Sequence, residues 1–227
     1  MIKSSARKVL GVLGLLALGL SASAQVSKTG SKYLLRMHYK KGQTLRYVAE
    51  SSIVMGPKQT TSVTVPMVMK VKSVVKGIAD IDVTVGPVSS KGTQMQPARS
   101  ANAKIDSMGR PVDGASSPMM SGSFPQKPVA VGEQWSATVP LSGMQMNVSM
   151  RFIFRGLKQV QGKTVGVIDT AIDSVSGGAN LSGKGQMQVL ASDGTLSSLR
   201  INMRMAVPAG KGSKGGSIAF TTTMVRK

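Results

Sequence analysis

The 227-residue chain has no cysteine, so it can form no disulfide and has no thiolate to act as nucleophile or metal ligand. It has a single histidine, His38, which leaves a His-rich zinc site or a Ser-His-Asp triad without its parts. Serine is abundant, but no G-x-S-x-G elbow accompanies it. Acids number only 9 against 29 Lys and Arg, and aromatics make up 4% of the chain. An enzyme is therefore not expected, and neither is a cofactor or a metal site. Hydrophobic residues reach 41%, enough to build a core and to exclude wholesale disorder.

The N-terminus reads as an export signal. Lys3, Arg7 and Lys8 precede an uncharged apolar run, Val9 to Leu20, which ends in Ser21-Ala22-Ser23-Ala24. A basic start, a short apolar stretch and a small-x-small site make a secretory signal peptide, residues 1–24, with cleavage after Ala24. As a helix the apolar run spans roughly 18 Å, short of the ~30 Å hydrocarbon core, so it does not anchor the chain. The expected location is extracytoplasmic, periplasmic or secreted, with no membrane span after cleavage. Cleavage removes three of the 29 basic residues and no acid, leaving 26 against 9, a formal charge of +17. Such a surface favours anionic neighbours, among them phosphorylated envelope glycolipids, acidic polymers and lipid headgroups.

Beyond the signal the hydropathy period is two. Met144, Met146, Val148, Met150, Phe152 and Phe154 alternate with Gln145, Asn147, Ser149, Arg151, Ile153 and Arg155. Ile201, Met203, Met205 and Val207 alternate with Asn202, Arg204 and Ala206, and Ile81, Val83 and Val85 with Asp80, Asp82 and Thr84. Val63, Val65, Met67, Met69 and Val71 share a parity, with Thr64, Lys70 and Lys72 on the other. This pattern predicts half-buried antiparallel strands and an all-β chain, 25–227, forming one domain. The expected architecture is a large curved antiparallel sheet or open β-barrel of roughly 9–11 strands in two similar halves. A membrane barrel would need an apolar outer band with aromatic girdles; eight aromatics and frequent outward Lys and Arg argue against it.

Glycine turns suggest an internal duplication. Val75-Lys76-Gly77 and Val160-Gln161-Gly162 read as hairpin turns, as do Asp106-Ser107-Met108-Gly109 and Ser192-Asp193-Gly194-Thr195. Gly77 to Gly162 and Gly109 to Gly194 are both 85 residues apart. Degenerate repeats at about 40–115 and 130–205 follow, with 114–127 as a Ser-, Pro- and Gly-rich connector and Ser217 to Arg226 as a last arm.

At that connector, Pro125-Gln126-Lys127-Pro128-Val129-Ala130-Val131-Gly132-Glu133-Gln134-Trp135 resembles the P-x-K-P-V-x-V-G-x-x-W signature of secreted bacterial proteins and lipoproteins of unknown function. Lys41-Gly42-Gln43-Thr44-Leu45-Arg46-Tyr47 is similar to their opening K-G-x-x-x-x-Y element. The resemblance implies a β-rich envelope protein and transfers no active or binding residue. The chain lacks the lipidation cysteine that some members carry.

Two residue sets carry the functional expectations. The first is methionine, 16 in all, much of it on the apolar parity. Met67, Met69, Met144, Met146, Met150, Met203 and Met205 should line one apolar interior. Methionine fills irregular cores, and it also lines adaptable cavities that accept an acyl chain. Paired thioethers suit Cu(I), but neither His nor Cys stands with them, so no metal is expected. The second set is Arg46, Lys70, Lys72, Arg151, Arg155, Arg200 and Arg204 on the opposite parity, an outer face suited to an anionic partner. Without interleaved aromatics it does not suit nucleic acid. Asp80 and Asp82, two apart on one strand, share a face opposite this basic excess. Three functions are carried forward. The first is an envelope protein holding a lipid or acyl chain in a Met-lined concavity. The second is an interaction module binding anionic envelope material, and the third, the weakest, is a carboxylate-dependent hydrolase.

Overall fold

A computed structural model describes residues 26–55, 59–112, 124–141, 146–175, 180–207 and 216–227. The signal-peptide segment, Met144 and most of the connector lie outside them. Every regular element described is a strand. No helix there is long and apolar enough to cross a membrane, which says nothing of crossing by strands.

Fourteen strands form two antiparallel sheets. The small one pairs β1 (Val26–Thr29) with β2 (Lys32–Leu35). The large one has twelve strands and is not closed into a barrel. In its first half, β3 (Thr44–Met55) pairs with β4 (Gln59–Val75), which pairs with β5 (Ile78–Val85), then β8 (Arg99–Ile105). Two short strands, β6 (Val88–Ser90) and β7 (Thr93–Gln96), lie against the start of β4. Pro66 sits where that edge of β4 passes from β5 to β6, a site that tolerates a missing donor. The second half is a meander of β9 (Gln134–Leu141), β10 (Met146–Val160), β11 (Lys163–Val175), β12 (Leu181–Leu190), β13 (Leu196–Val207) and β14 (Gly216–Arg226). β14 then pairs with β3 and joins the halves. The strands beyond the expected 9–11 are the short β1, β2, β6 and β7, too brief to show a period.

The predicted glycine turns close hairpins. Lys76-Gly77 joins β4 to β5 and Gln161-Gly162 joins β10 to β11, all four residues at positive φ. Four register shifts between long strands leave one residue unpaired: Lys72 in β4, Arg155 in β10, Asp173 in β11 and Ser197 in β13. The first three are charged, and each makes an ion pair with a neighbouring strand: Lys72 with Asp80 and Asp82, Arg155 with Asp169, and Asp173 with Arg151. A bulge leaves its extra residue out of the pairing and sharpens the local twist.

The inner face of the large sheet wraps one continuous core. Phe154, Leu45, Met69, Ile81, Met150, Ile168 and Ile201 are all at most 1% exposed. A strap, residues 36–43, closes one end of this core. Its Met37 amide donates to the Ser107 carbonyl (2.6 Å) and its His38 amide to the Asp193 carbonyl (2.8 Å), tying it to the Asp turn of each half. In those turns Asp106 Oδ1 accepts from the Met108 and Arg110 amides, and Asp193 Oδ1 from the Thr195 amide and hydroxyl. Beside the strap, Leu35 is fully buried and the Tyr33 ring lies 5.1 Å from that of Phe154.

Candidate functional site

Antiparallel register places the inward side chains in rows across the strands, because directly opposed residues share a face. One row runs Phe154, Ile168, Met187, Leu199, Met224 and Ala49 from β10 to β3. All but Met224 are buried. Two rows further from the strap, Met150, Ile172, Gly183, Met203, Phe220 and Ile53 stand in line. There only Met150 is buried, and the others are half-buried. Leu181, Met205 and Ile218 extend the half-buried wall by one more row. Along β13 the inner face thus stays apolar while its cover thins toward this end.

Between these rows lies a stripe of hydroxyls. Ser51 and Thr222 are opposed and hydrogen-bonded at 2.9 Å. Thr170, opposite Phe152 and Gly185, is 5% exposed, and its Oγ1 has no hydrogen-bond partner among the described residues. A buried unpaired hydroxyl costs roughly 1–3 kcal/mol. Thr222 and Ser51 stand in the row next to Phe220 and Ile53, and Thr170 lies further along that row beyond Gly185 and the buried Ile201.

The predicted methionines therefore take different places. Met67, Met69 and Met150 sit in the filled core at 6%, 1% and 1% exposure. Met203 and Met205 belong to the half-buried wall, and Met203 packs against the core edge. Met146 lies in β10 opposite Leu141, and Met144 lies outside the described residues. Phe220, Ile218 and Ile53 were not singled out in the sequence, although their strands alternate. Thr170 carries no sequence signal, since a threonine on a strand reads as outward.

All seven predicted basic residues are exposed, but β14 divides them. Arg46, Lys70 and Lys72 stand on β3 and β4; Arg151, Arg155, Arg200 and Arg204 stand on β10 and β13. The outward positions of β14 between them are Ala219, Thr221, Thr223 and Val225, which carry no charge. Arg46, Lys70, Arg200 and Arg204 make no ion pair among the described residues, and neither does Lys184 on β12.

The paired acids of β5 are held rather than free. Lys72 Nζ lies 3.1 Å from Asp80 and 3.2 Å from Asp82, and the Asn102 side-chain amide donates to both carboxylates. Asn102 first, then Lys72, holds both carboxyls below the usual carboxylate range. A depressed pKa adds stability above the ordinary carboxylate pKa, and that stability is lost as pH falls through the folded value. Asn102→Ala should raise both pKa values, read as carboxyl shifts in an NMR titration. Unmoved midpoints would remove the amide from this role.

No protein-family model matches the chain, and no curated protein matches it.

Proposed function

We propose that this is a non-enzymatic, exported envelope protein that holds a lipid or acyl chain against the half-buried wall of Met203, Met205, Phe220, Ile218 and Ile53. One observation carries the reading. Along β13 the inward side chains Leu199, Ile201, Met203 and Met205 remain apolar while they pass from buried to half-exposed. A surface needing only solubility would turn polar there. Unbranched thioether side chains re-pack around a flexible chain at small cost. The basic strands outside favour retention near anionic envelope material.

The test is titration of the mature protein with a fluorescent polyunsaturated fatty acid. The expected result is saturable binding of about one per chain. Met205→Trp, which fills the wall, should abolish it without a loss of thermal midpoint. Absence of saturable binding by the wild type, or unchanged binding by Met205→Trp, overturns the proposal.

A further inference from the structure

On the opposite face of the same strands we infer a second site, a trough that binds a phosphorylated saccharide. It is formed by the outward side chains of strands whose inward side chains make the apolar wall, and Met203 and Phe220 border it as well.

The trough follows from side-chain size. On β11, between Arg151 of β10 and Lys184 of β12, the outward residue is Ala171. On β14, beside Arg204 of β13, it is Ala219. Small residues between long cations leave a groove of 450 Å³ lined by Arg151, Lys184, Asn202 and Arg204. A second hollow of 310 Å³, lined by Arg155 and Asp169, shares Arg151, Ala171 and Lys184 with the first. The two therefore adjoin. Arg151 and Lys184 stand two strands apart, about 10 Å at the usual strand spacing, so they address two anionic groups rather than one.

Charge and hydrogen-bonding capacity select the ligand. Arg151 is tied to Asp173 (3.1 Å) and Arg155 to Asp169 (2.7 Å), which fixes both guanidinium groups at the rim. Lys184 and Arg204 have no acid among the described residues. Arg and Lys around a recess recognise phosphate oxygens. Between the cations lie uncharged polar groups. Thr221 Oγ1 donates to Asn202 Oδ1 (2.9 Å), which leaves the Asn202 amide hydrogens free to meet a ligand hydroxyl. Ser182 adds a hydroxyl at the same wall. Cations interspersed with amide and hydroxyl groups match a sugar bearing phosphates. No outward position described on β10 to β14 is aromatic, so the bases of a single-stranded nucleic acid find no stacking platform. A recess between raised cations presents less charge to a flat bilayer than to a compact ligand that enters it.

The experiment is calorimetric titration of the mature chain with a phosphorylated mannose oligosaccharide. Its dephosphorylated form, inorganic phosphate and phosphatidylglycerol vesicles are run in parallel. The phosphorylated sugar should bind, more weakly as salt rises. Lys184→Gln with Arg204→Gln should weaken it about tenfold, a loss of two charge-assisted contacts. Lys40→Gln with Lys41→Gln removes the same charge away from the trough and should leave affinity within about twofold, with long-range steering screened by salt. All four residues are exposed, so the thermal midpoint should not move. Equal binding of the dephosphorylated sugar, or inorganic phosphate as strong as the oligosaccharide, would overturn the inference. So would vesicle binding without sugar binding, or equal losses in the two double variants.

Discussion

Gly194→Ala should cost about 3–5 kcal/mol, while Gly162→Ala should cost only about 1–2. Both glycines have left-handed backbone, φ +67° and +73°. An alanine at either position incurs the same local penalty, roughly 1–2 kcal/mol. The surroundings separate them. A Cβ on Gly162 meets nothing within 4 Å, whereas one on Gly194 runs into the carbonyl of Arg36 in the strap. That obstacle is backbone and cannot rotate aside. Relief requires the strap to lift, which breaks the His38 amide bond to Asp193 and uncovers Leu35, a side chain whose burial is worth about 1.5–3 kcal/mol. Denaturant midpoints at constant m-value give the two costs. Hydrogen exchange at the His38 amide should accelerate in Gly194→Ala only. Equal costs for the two variants would mean that the strap does not close the core.

The strand parity was legible because one face of each long strand is buried, and burial writes a period of two into the sequence. Val63 to Val71 and Val148 to Phe154 are read correctly for that reason. Parity says which way a side chain points and not which strand lies beside it. The pairing of β14 with β3 joins residues more than 160 positions apart, such as Thr222 with Ser51, and no local pattern announces it. That pairing splits the predicted basic face and completes the apolar wall with Phe220 and Ile53. The strap was illegible for another reason: Met37 and His38 bond to turns and Gly42 and Gln43 to Val71 of β4, so no ladder runs along it and it has no alternation. The bulges at Lys72 and Arg155 follow from no propensity. Each shows only in the structure, as an unpaired residue tied to an acid on the next strand. The trough shows the same limit, since Ala171 and Ala219 matter only once their cationic neighbours on adjacent strands are known.

Met69→Ala should lose about 2–5 kcal/mol, and Met203→Ala distinctly less, with opposite consequences for ligand. Met69 is 1% exposed and sits between Leu45 and Val83, each also 1% exposed. Truncation there removes buried area and leaves a cavity that close-packed neighbours fill only in part. Met203 is half-buried, so its removal forfeits less area, and the space it leaves is continuous with the open side of the wall. The two variants separate core from site through linkage. A ligand bound only by the folded chain stabilises it by RT ln(1 + [L]/Kd), about 2.7 kcal/mol at a hundredfold excess over Kd. Saturating fatty acid should therefore raise the thermal midpoint of Met69→Ala by as much as it raises that of the wild type, since the wall is intact. In Met203→Ala the same addition should give a smaller rise, because the wall has lost a contact. If Met203→Ala were as destabilised as Met69→Ala and fatty acid raised neither midpoint, the wall would be ordinary core and the lipid reading would fall. A full ligand-induced rise in Met203→Ala would place the ligand elsewhere on the protein.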